Sequence, residues 1–216
     1  MLKLSRNPLL HPQVSASSVE RELATLAHLT TDRRLADRTA RRRVKDARKE
    51  ESAMAAIGKL PGPTESLHLV ISGRFALWHV VPAIRQLAGQ TIDELRIATL
   101  GFSRDNIDAL CAMLDAGEIG RVWLLCSHYF KGTSTDTFTH AQDQLARRPG
   151  RAWFASLRTH AKLLLLKLAD GRTFTIESSA NLRSCKNIEQ MTLVGSRPVY
   201  AFHAGWIDEL FAGSNA

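Results

Sequence analysis

Apolar residues in the first sixty positions are sparse and helically spaced. Leu23, Leu26, Leu29 and Leu35 form a modest stripe that fades as arginines accumulate. From Ser15 to about Ile57 helix formers dominate and breakers are few, and Ser17 or Ser18 followed by Glu20 and Glu22 is a helix-start signal. One or two helices are predicted there. Residues 59–63, Lys-Leu-Pro-Gly-Pro, form a hinge, because two prolines and a glycine continue neither a helix nor a central strand.

Beyond the hinge, short apolar runs alternate with amphipathic stretches. Strands are predicted at Leu67–Ser72, Leu95–Leu100 and Arg121–Cys126, with helices at Phe75–Leu87, Arg104–Leu114 and His140–Arg147. Four strand-like runs follow with little helix between them: Ala152–Leu157, Ala161–Leu168, Thr173–Glu177 and Met191–Val194. Val199–Phe211 then closes the chain as an amphipathic helix. The rhythm predicts an α/β domain over residues 64–216, a mixed, mostly parallel sheet flanked by helices, preceded at 1–63 by a basic helical N-terminal region and its hinge.

Composition narrows the class. The 216 residues are 44% hydrophobic and 23% charged, ordinary for a globular chain. No apolar run approaches the ~20 residues of a membrane-spanning helix, and the N-terminus, broken by Pro8 and Pro12, does not read as a secretory signal. Cys111, Cys126 and Cys185 are too few and too scattered for a disulfide framework or a zinc site, so reduced thiols and a cytoplasmic protein are expected.

Charge adds a partner class. The formal net charge is +8, and it is concentrated: residues 33–49 hold nine basic side chains, Arg33, Arg34, Arg38, Arg41, Arg42, Arg43, Lys45, Arg48 and Lys49, against two acidic ones. A basic segment beside a near-neutral domain suits a polyanion, either nucleic acid or an anionic membrane surface.

Polar chemistry clusters between Thr159 and Gln190. In an extended chain His160 and Lys162 share a face, and the four leucines after them anchor that strand. Asp170-Gly171 makes a turn, and the return strand carries Ser178, Ser179 and Asn181 back beside His160. An imidazole, an ammonium and a carboxamide on paired strands suit a phosphodiester: the imidazole attacks phosphorus, and the Lys and Asn donors bind oxygens that gain charge. Trp78, Trp123, Trp153 and Trp206 lie in apolar runs and are expected in the core.

His160-x-Lys162, the Ser178–Asn181 stretch and Asn187-x-Glu189 resemble the H-x-K … G-S-x-N … N-x-E signature of the phospholipase D superfamily, and Leu67–Phe211 resembles one repeat of that fold. Two departures stand out. Lys167 occupies the usual Asp position, with Asp170 displaced nearby, and the Lys162-to-Asn181 spacing is long. Both are features of the tyrosyl-DNA phosphodiesterase branch. The first position of G-S-x-N is Ser178.

The resemblance implies His160, Lys162, Asn181 and Glu189 as catalytic residues, with Lys162, Ser179 and Asn181 binding phosphate. It implies no metal and no cofactor. It also implies two H-x-K copies per site, whereas this chain has one; His128 with Lys131 is the nearest miss. The expectation is therefore a homodimer that brings two His160 imidazoles to one phosphate. Glu189 would orient an imidazole and stabilise its cationic form. The leading expectation is a metal-independent nuclease, with the basic arm supplying salt-sensitive affinity for nucleic acid, DNA favoured over RNA. The alternatives are an inactive nucleic-acid-binding or assembly module on the same fold and, more weakly, a phospholipid phosphodiesterase. No stable membrane association is expected.

Overall fold

The computed structural model describes residues 45–183 and 187–213. The predicted helix start at Ser17–Glu22, the arm residues Arg33, Arg34, Arg38, Arg41, Arg42 and Arg43, and also Cys185 and Lys186, lie outside them. The chain divides into two compact units between Lys45 and Asp46. The second unit therefore includes the 59–63 hinge, whereas the sequence places the domain boundary after it. The cause is burial. Helix α1 (45–57) sinks Ala53 and Ile57 into the domain core.

The sheet has seven strands: β1 (Ser66–Ile71), β2 (Ile92–Thr99), β3 (Ile119–Ser127), β4 (Ala152–Leu157), β5 (Leu163–Leu168), β6 (Thr173–Ser178) and β7 (Glu189–Val194). Their order is β1-β7-β6-β5-β2-β3-β4. After β1 a 3-10 turn leads into α2 (Val80–Ala88). α3 (Arg104–Asp115) joins β2 to β3, α4 (His128–Thr133) and α5 (Thr135–Ala146) join β3 to β4, and α6 (Arg197–Gly213) ends the domain.

The sheet is mixed and flanked by helices, as the sequence predicts, but it is not mostly parallel. β2–β3 and β3–β4 pair parallel, while β1–β7, β7–β6, β6–β5 and β5–β2 pair antiparallel. A parallel neighbour needs a crossover of a dozen or more residues; those before β3 and β4 set each strand beside its predecessor, while the one through α2 carries the chain from β1 to the non-adjacent β2. From β5 onward the connections are short, so the strands fold back on one another.

β5 shows how the two layers are held. Leu164, Leu166 and Leu168 enter the larger core with α1, α2, α3 and α5, while Leu163 and Leu165 meet Tyr200, Ala204, Ile207 and Phe211 of α6. A strand buried on both faces reads as a continuous apolar run, as this one does. Trp78 is core, whereas Trp123 and Trp153 stack at 4.7 Å, half-buried on the α6 face. Cys111 and Cys126 are buried free thiols, and burial pushes the Cys126 thiol up to about 12.

The topology sends β1, β2, β3, β4 and β6 in one direction and β5 and β7 in the other. One end of the sheet, here called the upper end, thus collects the C-termini of five strands and the N-termini of two. In open α/β sheets that end is where ligands bind. Among the described residues no helix is long and apolar enough to cross a membrane.

Candidate active site

His160 and Lys162 lie at the upper end, in an extended segment just before β5 rather than within the strand. Lys162 Nζ is 3.2 Å from His160 Nδ1 and donates to the His160 carbonyl at 3.3 Å. The two side chains are therefore adjacent, as their spacing predicts. An ammonium donating to Nδ1 requires a ring whose Nδ1 is bare, so a neutral imidazole carries its proton on Nε2. His160 is exposed and Lys162 half-buried, so the pair is open to a ligand.

The return strand meets this segment directly. Ser178 N–H donates to the Lys162 carbonyl at 3.1 Å, which ties the end of β6 to the H-x-K backbone. Ser178 Oγ donates to the Gln190 carbonyl and accepts from Ala180 N–H, so it spans the start of β7 and closes a turn. A hydroxyl at this position makes two bonds that glycine could not. Ser179 N–H reaches the Gln190 carbonyl at 3.0 Å, while its hydroxyl accepts from Gln190 N–H and donates to Glu189 Oε2. Glu189 is thus held by Ser179.

Asn181 is anchored from a different strand. Its Oδ1 accepts from Leu100 N–H at 3.2 Å and lies 3.5 Å from Thr99 Oγ1, at the upper end of β2. With the oxygen committed, the amide nitrogen remains the donor. Nothing in the spacing of Thr99 and Leu100 points to this anchor, because they lie some eighty residues upstream of Asn181.

His160, Lys162, Ser179, Asn181 and Glu189 therefore come from β5, β6 and β7 to one end of the sheet, braced by β2. Asp170 does not join them. It sits in the β5–β6 turn at the opposite end, paired with Arg172 at 2.7 Å, about 20 Å of strand away. The Arg172 hydrogen bonds hold its carboxyl below the usual range. Lys167, which stands where the resemblance puts an Asp, is 3.5 Å from Glu94 at the same far end. His128 and Lys131 open α4 at the upper end of β3, with Lys131 over the Phe138 ring at 5.4 Å. Of the basic arm, Lys45, Arg48 and Lys49 lie on α1.

The arrangement offers a nucleophilic nitrogen, an ammonium and an amide donor at an open sheet end, and one chain supplies a single such set among the described residues. Among those residues no three His, Cys, Asp or Glu side chains group as metal ligands.

No protein-family model matches the chain, and no curated protein matches its sequence. Solved structures do. A polyphosphate kinase from Porphyromonas gingivalis is 13% identical, with a TM-score of 0.50 over 69% of this chain and 26% of that one. This chain thus spans about a quarter of that kinase. A phospholipase D family member, Nuc from Salmonella typhimurium, is 15% identical, with a TM-score of 0.49 over 67% of this chain and 93% of that one. A phosphatidylserine synthase from Haemophilus influenzae is 15% identical, with a TM-score of 0.44 over 70% of this chain and 39% of that one. Topology and structural likeness together show that this chain has a phospholipase D-like fold.

Proposed function

We propose that this protein is a metal-independent phosphodiesterase, a homodimeric nuclease in which two chains each contribute one His160. The observation that carries the reading is the contact between His160 and Lys162, fastened by backbone bonding to the strand end that bears Ser179 and Asn181. When a phosphodiester binds, Lys162 Nζ turns from His160 Nδ1 to a non-bridging oxygen. The exposed ring then gives its Nε2 proton to water and takes one from water at Nδ1, where we assign Glu189, held by Ser179, to orient it, and Nε2 is free to attack.

The step balances as a two-stage substitution. His160 Nε2 forms a bond to phosphorus and the P–O bond to the leaving group breaks. The protonated His160 of the second copy gives its proton to the departing oxygen. Water then attacks the phosphohistidine, losing its proton to that second imidazole, and the P–N bond breaks to release the phosphomonoester and restore His160. Lys162 and the Asn181 amide bind the equatorial oxygens through both stages.

Cleavage of labelled DNA and RNA in excess chelator tests the reading. Chelator-resistant cleavage that His160→Ala lowers by about 1,000-fold or more is expected. Tight binding of nucleic acid without cleavage by either protein would instead identify an inactive binding module, and turnover of phospholipid vesicles alone would identify a lipid phosphodiesterase.

A further inference from the structure

The basic side chains at the two ends of the sheet differ in how they are paired. Within five residues of each strand that ends at the upper end stands one cation: Arg74 after β1, Arg104 after β2, Lys131 after β3, Arg158 after β4 and Arg183 after β6. Lys162 precedes β5. All but Lys162 are exposed. Among the described residues, Arg74, Arg158 and Arg183 have no carboxylate partner; Arg104 donates only to the Asp136 carbonyl, and Lys131 lies over Phe138.

At the opposite end five cations among the described residues are paired with carboxylates. Arg85 meets Glu118 at 3.1 Å, Arg121 and Lys167 meet Glu94 at 2.8 and 3.5 Å, and Arg172 meets Asp170 at 2.7 Å. Arg148 pairs with Asp115, whereas Lys59, Arg147, Arg151 and Arg197 meet no carboxylate among the described residues, Arg151 donating to backbone carbonyls. The carboxylates of the upper end are Asp105, Asp136, Glu177 and Glu189. Glu177 is taken up by His203 and Glu189 by Ser179. Three exposed arginines with no carboxylate partner among the described residues, Arg74, Arg158 and Arg183, thus stand at the end where His160 lies.

A second feature lies at the same end. Tyr129, in the first turn of α4, is 69% exposed, an aromatic ring left in water beside Lys131. It follows β3, which lies two strands from β5 in the sheet order. Six inter-strand steps carry the cations across roughly 29 Å.

We infer that the upper end of this domain is a track for single-stranded nucleic acid, in which Arg74, Arg104, Lys131, Arg158 and Arg183 take phosphates on both sides of one held at His160 and Tyr129 stacks a base. The inference rests on the nuclease reading and specifies its substrate. The ring decides for a single strand, because a duplex hides its base faces in its own stack while an unpaired base can lie on an aromatic side chain. The track is separate from the basic arm and predicts affinity that the arm does not supply.

The test uses the full chain carrying His160→Asn, so that the probe survives, and fluorescence anisotropy of a labelled 20-nucleotide strand across a salt series. Arg74→Gln with Arg158→Gln should reduce the slope of log K against log salt by about 1.4, at roughly 0.7 per cation lost. Tyr129→Ala should weaken binding roughly 5- to 150-fold, with Tyr129→Phe restoring it and an abasic strand indifferent to all three residues at 129. Circular dichroism confirms that these exposed changes leave the fold intact. A slope unchanged by the double substitution, duplex bound more tightly than single strand, or a Tyr129→Ala effect equal on abasic and natural strands would each overturn the inference. Failure of the parent reading is separate: it is absence of cleavage by the unsubstituted chain in chelator.

Discussion

His79 is a buried imidazole, 4% exposed, whose Nδ1 accepts the Ala76 N–H at 3.1 Å and whose Nε2 faces Asp46 at 3.8 Å. Burial holds its pKa below the ordinary value despite that carboxylate. The folded ring stays neutral in a range where the unfolded ring, with a pKa of about 6.5, takes up a proton. The unfolded state therefore binds more protons below about pH 6.5, and stability falls as pH drops from there toward the depressed folded value. The thermal midpoint should decline between pH 7 and pH 5.5, and His79→Asn, which keeps an acceptor for Ala76, should flatten that decline. Parallel pH profiles for the two proteins would contradict this role.

Arg96 is a second buried group whose partners no local pattern announces. It is 6% exposed on β2 and donates to both oxygens of Asp208, to Glu94 and to Tyr200 at 2.8–3.0 Å, with Trp123 beneath at 4.4 Å. Burial works against its charge, but the Asp208 and Glu94 hydrogen bonds outweigh it and keep the guanidinium protonated. Breaking such a set strands its carboxylates, so Arg96→Met should cost about 3 kcal/mol, roughly 6–12 °C in melting temperature for a domain of this size. A loss under 1 °C would show the cluster to be dispensable. The sequence places Arg96 in an apolar strand but leaves its partners hidden, since Asp208 is supplied by α6 from the far end of the chain.

At the scale of elements, legibility follows burial and length. β4 lies where the strand-like run of residues 152–157 predicts it, and the β5 leucines report a strand covered on both faces. α4 is not legible: six residues, His-Tyr-Phe-Lys-Gly-Thr, are too few to show a helical period. Strand direction is lost when the β-α rhythm of residues 67–126 is extended over residues 152–194, where no helix lies between the strands. The Asp170-Gly171 turn already marks the reversal. His160, Lys162 and Asn181 are readable as a motif, whereas the β2 anchor of Asn181 and the upper-end cations emerge only once the strand order is fixed.

The hinge is an element with its own constraint. A Cβ on Gly195 would collide with the Gly62 carbonyl oxygen and lie 2.7 Å from that of Pro61, so the 61–62 backbone crosses the β7–α6 joint at a distance only glycine permits. Gly195→Ala should destabilise the domain by about 1–3 kcal/mol, seen as an earlier chemical unfolding midpoint, while Gly205→Ala, which meets nothing within 4 Å, should not. Equal midpoints for the two variants would remove the constraint.

For the whole molecule, the proposed mechanism uses two imidazoles per reaction, and with one H-x-K per chain it requires a dimer. Light scattering should give twice the chain mass, and a cysteine placed near His160 should cross-link chain to chain. In such a dimer the upper-end cations would double across the two-fold axis. A monomer that cleaves at full rate would contradict this assembly.

The most direct measurement is acid-free quenching of the protein during turnover of a DNA strand in chelator, followed by mass spectrometry of its peptides. The account predicts a phosphoryl-linked adduct on His160 alone, formed and discharged at the rate of cleavage and absent from His160→Ala. Cleavage without such an adduct, an adduct on another residue, or no chelator-resistant cleavage at all would contradict it.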